Sequence, residues 1–146
     1  MSVRENIASN LLTTISNISS PISIIKATRQ PFLLDELSDK QYPAVIVQTS
    51  EENRDDSELG SGAKTRHGTI DFLILGFVKG AESNIDTLRN ALITAIETAI
   101  ETDITRDSNA LDSEVIQVET DEGSLFPVGG IRMTIRCMYE YQAGTP

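Results

Sequence analysis

The sequence predicts an α+β domain: a mainly antiparallel sheet of four to five strands with two helices packed on one face. Two segments repeat apolar residues at three- and four-residue spacings, several short segments are β-branched or alternate in polarity, and their order runs helix, three strands, helix, two strands. At 146 residues the chain is expected to be one domain, 1–146, long enough to bury roughly two-thirds of its unfolded surface.

Val3, Ile7, Leu11, Ile15 and Ile18 share one helical face and place the first helix over 3–17. Ser19, Ser20 and Pro21 end it. Residues 22–28 are β-rich enough for a first strand, followed by a loop with Pro31. Pro43 then opens a short apolar strand over 44–49, built on Ala44, Val45, Ile46 and Val47. Residues 50–66 have almost no apolar content and predict a long polar loop, the first place to look for a partner, disordered until assembly. It carries Glu51, Glu52, Asp55, Asp56, Glu58, Lys64 and Arg66.

The strongest strand signal is 69–78, with Ile70, Phe72, Ile74 and Val78 on one face and Leu73, Leu75 and Phe77 on the other. Both faces need cover. Ser83 with Asp86 reads as a capping box, and Ile85, Leu88, Leu92, Ile96 and Ala99 mark a second helix that ends near Thr102. A strand follows over 114–120. In the last strand Ile131, Met133, Ile135, Cys137 and Tyr139 lie on one side, and Arg132, Thr134, Arg136 and Glu140 on the other.

Twelve basic and twenty-two acidic side chains give a formal charge of −10, a field that repels phosphate backbones. The first residues alternate polar and apolar, and no stretch approaches the roughly 18 apolar residues of a membrane span. An intracellular, soluble protein without membrane contact is expected. Cys137 is the only cysteine and reads as a small buried hydrophobe.

Catalytic and cofactor motifs fail one by one. Gly60, Ser61, Gly62, Ala63, Lys64 and Thr65 imitate a phosphate-binding loop, but glycine is needed where Glu58 and Ala63 stand, and a strand follows instead of a helix. Asp103, Asp107, Asn109 and Glu114 fall at calcium-loop ligand positions, yet Thr105 and Ser108 replace an acidic ligand and the turn glycine. His67, the single histidine, has no nucleophile or carboxylate placed by the sequence, and Glu97 with Glu101 reads as a solvated helix face. No enzyme activity, metal or cofactor is expected.

An N-terminal amphipathic helix, the strand Tyr42, Pro43, Ala44, Val45, Ile46, Val47, a polar loop and a long strand ending near Phe77 come first. The helix 85–100, the 103–111 connection and a strand finishing in Tyr139, Glu140, Tyr141 complete the order. That order resembles the tail terminator, or tail-completion, proteins of long-tailed bacteriophages over nearly the whole chain. The resemblance implies a virion protein at the tail-neck junction, assembled in the host cytoplasm. It would be a homo-oligomeric ring, usually a hexamer, that caps the tail tube, stops its polymerisation and meets the head-side connector or neck protein. A tail sheath is a further partner if the tail is contractile, and DNA passes the channel without specific binding. Competing readings are another neck or connector-completion protein, and a small ligand-binding module or enzyme.

The expected contact surface joins the 50–66 loop to Phe72, Leu73, Leu75 and Phe77, with Arg132 and Arg136 pairing to carboxylates across a subunit boundary. Folding back of Leu33, Leu34 and Leu37 over the second face of that strand is the alternative to a neighbouring subunit.

Overall fold

A computed structural model describes residues 2–32, 36–56 and 65–144, without the side chains of 55 and 56. The elements are α1 (Val3–Ser16), β1 (Lys26–Thr28), β2 (Ala44–Asp56), β3 (Thr65–Lys79), α2 (Ile85–Thr102), β4 (Asp112–Thr120) and β5 (Val128–Gln142), with a short 3-10 turn at Asp39–Gln41 before β2. All five strands form one sheet in the order β1-β2-β3-β5-β4. β1 lies parallel to β2, and every other pair is antiparallel.

Both helices cover the same face, here called inner. Their apolar stripes, Ile7, Leu11 and Ile15 of α1 with Leu92, Ile96 and Ile100 of α2, meet Val45, Val47, Ile70, Phe72, Ile74, Met133, Ile135 and Cys137 in the core. Fully burying a side chain of this size contributes about 1.5–3 kcal/mol. The close approach of α2 depends on Gly76, where an added Cβ would sit 2.8 Å from Leu92 Cδ2 and 2.9 Å from Ile131 Cγ1. α1 starts where Ser2 Oγ accepts from the Glu5 N–H at 3.2 Å, satisfying one of the amides a helix leaves unpaired.

The expected capping box at Ser83 does not form. Asn84 is the N-cap of α2, its Oδ1 accepts from the Ala81 N–H at 2.9 Å, and the Asp86 carboxylate is drawn to Arg89.

The largest departure from the expected layout is the polar loop. Residues 50–56 extend β2, and 65–68 extend β3, so Asp55 pairs with His67 and Asp56 with Arg66 in a long hairpin. Glu58 and Lys64 lie outside the described residues. A strand without apolar alternation is stable here because this end of the inner face is closed by polar and aromatic groups. Glu52 accepts from the Tyr139 hydroxyl and from Arg54 Nε and Nη2 at 3.2 and 3.0 Å, and the Arg54 guanidinium stands 5.0 Å from the centre of the Tyr141 ring. Tyr139 in turn lies over Gly68, where an added Cβ would come within 2.7 Å of the ring.

Candidate functional site

Among the described residues the other face of the sheet carries no helix. Strand alternation places Leu73, Leu75 and Phe77 on it, all partly buried, whereas Phe72 is fully buried on the inner face and so lies outside any contact surface. This corrects the expected grouping, since Phe72 belongs with Ile70 and Ile74 in the core.

Register defines the outer face row by row. Ile46, Leu75, Arg132 and Glu119 stand side by side across four strands, and so do Gln48, Leu73, Thr134 and Gln117. In the next row Asp71 faces Arg136, with Glu114 beyond it on β4. Arg136 Nε and Nη2 donate to Asp71 Oδ1 and Oδ2 at 2.9 and 3.1 Å. That pair holds the guanidinium pKa above its ordinary value, with Glu114 and Glu51 adding to the effect. Arg136 is therefore already satisfied within its own chain, contrary to the expected pairing across a boundary. Arg132 is exposed and has no hydrogen bond or ion pair among the described residues.

One end of this face is covered by the chain itself. The Phe32 ring meets Phe77 edge-on with centroids 6.0 Å apart, Lys26 lies over Phe32, and Leu125 reaches the Phe77 side of Gly130. The segment expected as the alternative cover does contribute, though through Phe32. Leu37 is half-buried, and Leu33 and Leu34 are outside the described residues. The open remainder is Leu73, Leu75 and Arg132, with Met138 and Leu111 exposed at one margin and Leu125 and Phe126 among the exposed apolar groups of the 121–127 turn.

That turn is anchored from beneath. Asp121, nearly buried, binds Arg89 of α2 and accepts from the Leu125 N–H at 3.0 Å. Burial raises its pKa, but the Leu125 N–H, Arg89 and the Gly130 and Gly123 N–H groups outweigh it and hold the carboxyl below its ordinary value.

The remaining predicted residues separate. Glu51 is exposed, Glu52 is tied to Tyr139 and Arg54, and Arg66 pairs with Asp56 and Tyr141 in the ladder. His67, expected at the start of the strand, sits inside β3 with its Nε2 2.8 Å from Glu140 Oε1. The calcium-like spacing becomes a tight turn instead: Asp103 accepts from the Thr105 and Asp107 N–H groups, and Glu114 lies away on β4. Arg106, Asp107 and Ser108 all have positive φ there, and the buried Arg106 caps α2 by donating to the Ile100 carbonyl at 2.7 Å. Burial pushes the Arg106 guanidinium pKa down. Among the described residues no three His, Cys, Asp or Glu side chains gather as a metal would require. No helix among them is long and apolar enough to cross a membrane.

No protein-family model matches the chain, and no curated protein matches it. The chain is similar to a solved chain from the virion of a native gene transfer agent particle, with 13% sequence identity and a TM-score of 0.47, covering 96% of this chain and 92% of that one.

Proposed function

We propose that this chain is a structural subunit of a phage-like tail. In this reading it is a tail terminator that closes into a ring, caps the tail tube, stops tube polymerisation and presents a surface to the head-side connector. The role is mechanical. The observation that carries it is the sheet face that no helix among the described residues covers, where Leu73 and Leu75 remain partly uncovered beside Arg132, which makes no ion pair among those residues. Apolar groups surrounded by polar ones on an otherwise finished fold are the pattern of a protein contact surface. The resemblance in element order supplies the kind of particle, and the −10 charge suits a channel that DNA passes without gripping it.

The experiment combines purified protein with isolated tail tubes. Light scattering coupled to size exclusion reports ring formation, and cosedimentation reports binding to tube ends. A protein that stays monomeric at tens of micromolar and ignores tube ends would remove the proposal. Binding to a portal-side complex in place of tubes would move it to the connector-completion class.

A further inference from the structure

We propose that neighbouring copies join edge to edge, the free edge of β4 in one copy meeting β1 of the next, so that the sheet continues around the ring. This rests on the ring reading above and specifies its copy-to-copy contact.

The sheet order leaves β1 and β4 as its two edges. β1 runs with β2 and β5, while β4 runs with β3 in the opposite sense. In a cyclic ring all copies point the same way along the axis, so β4 of one copy and β1 of the next approach antiparallel, the pairing that strand edges accept most readily.

Charge distinguishes the two edges. Residues 107–122 hold Asp107, Asp112, Glu114, Glu119 and Glu122, with Asp121 turned inward to Arg89, and no lysine or arginine, whereas residues 17–34 hold Lys26 and Arg29 and no carboxylate. Charge and a bulge such as that between Val115 and Gln117 are also how a sheet keeps an edge from sticking. Protection alone would be served by either sign on either edge. Opposite signs on opposite edges instead repel like edges and attract unlike ones, which selects head-to-tail joining over face-to-face dimers. Each edge also exposes β-branched side chains, Ile25 on one and Ile116 and Val118 on the other. Arg29 is already bound to Glu5, which leaves Lys26, lying over the Phe32 ring, as the cation directed at the next copy. Because β1 has three residues, backbone bonds across the seam are few, and charge with apolar contact fixes the register. Edge joining leaves the outer face open for the tube-side protein.

The test uses the full chain with Lys26→Glu, Glu119→Lys and both changes together. Each single variant is expected to raise the concentration at which rings form about tenfold, a reversal doubling the effect of one exposed pair, and the double variant to restore it. Since Glu119 stands across from Arg132, Glu119→Gln serves where Glu119→Lys misfolds. Hydrogen exchange on the wild type is the independent measurement, and β4 amides should slow on ring formation. Rings that form normally in both single variants, or β4 amides that exchange equally fast in monomer and ring, overturn edge joining while leaving the ring reading intact. Absence of any ring, alone or on tube ends, overturns both.

Discussion

Leu75→Asp is the sharpest probe of the open face. Leu75 sits mid-sheet, between Ile46 and Arg132 across the strands, and is only partly covered by its own chain. Full burial of a leucine contributes about 1.5–3 kcal/mol, so covering the remaining part yields about 1 kcal/mol, or fivefold in affinity. Leu75→Ala should lose that much. Leu75→Asp also places a carboxylate in the contact, and desolvating it brings the loss to on the order of 3 kcal/mol, above a hundredfold. The isolated fold should tolerate the change, because the new carboxylate remains partly hydrated beside Arg132. Phe77→Asp is a poorer probe, since Phe77 packs on Phe32 and its loss damages the monomer too. Arg136→Ala should matter less than Leu75→Asp, its partner Asp71 being in the same chain. Tube capping by cosedimentation gives the readout, with light scattering as the assembly control and circular dichroism as the folding control. If a folded Leu75→Asp protein caps tubes as the wild type does, the face is not a contact surface.

Three further outcomes concern the fold that holds this face. Gly76→Ala should destabilise by about 1–3 kcal/mol in urea unfolding, because the new Cβ overlaps Leu92 and Ile131 in a packed interior. Asp121 has a folded pKa below 3.8, so its stabilisation is present above that value and disappears as pH falls through the lower folded one; Asp121→Asn should flatten this part of the acid unfolding curve. Tyr139 is displaced the other way, pushed up to about 12 by burial and by its hydrogen bond to Glu52. Stability should therefore fall as pH rises from 10 towards 12, and Tyr139→Phe should lack that fall in alkaline melts.

Most of the fold was legible because periodicity reports which face of an element is covered. The stripes Ile7, Leu11, Ile15 and Ile85, Leu92, Ile96 became α1 and α2, and the alternation from Ile131 to Tyr139 became the buried side of β5. What was not legible depended on partners distant in the chain. Ser50 to Asp56 shows no apolar alternation, since its inner residues Glu52 and Arg54 meet Tyr139, Tyr141 and, on α1, the Arg4 guanidinium rather than apolar side chains. The parallel β1–β2 pair and the strand order were equally hidden, as both are choices among pairings that similar local sequences permit.

The proposed contact surface shows the same division more sharply. β3 is apolar on both faces, and its sequence treats Phe72, Leu73, Leu75 and Phe77 alike. Cover separates them: the helices seal Phe72, while Phe32 and Leu125 take up the Phe77 end, so the open patch is smaller than the strand suggested and lies nearer Leu73 and Leu75. The two arginines divide for the same reason. Asp71 lies directly across from Arg136 and bonds it, whereas Arg132, with Leu75 on one side and Glu119 on the other, makes no hydrogen bond or ion pair among the described residues. A guanidinium with no ion pair among the described residues, next to partly covered leucines, favours a partner that brings a carboxylate amid apolar groups, and a partner so built would be held in register by Arg132 while drawing its affinity from Leu73 and Leu75.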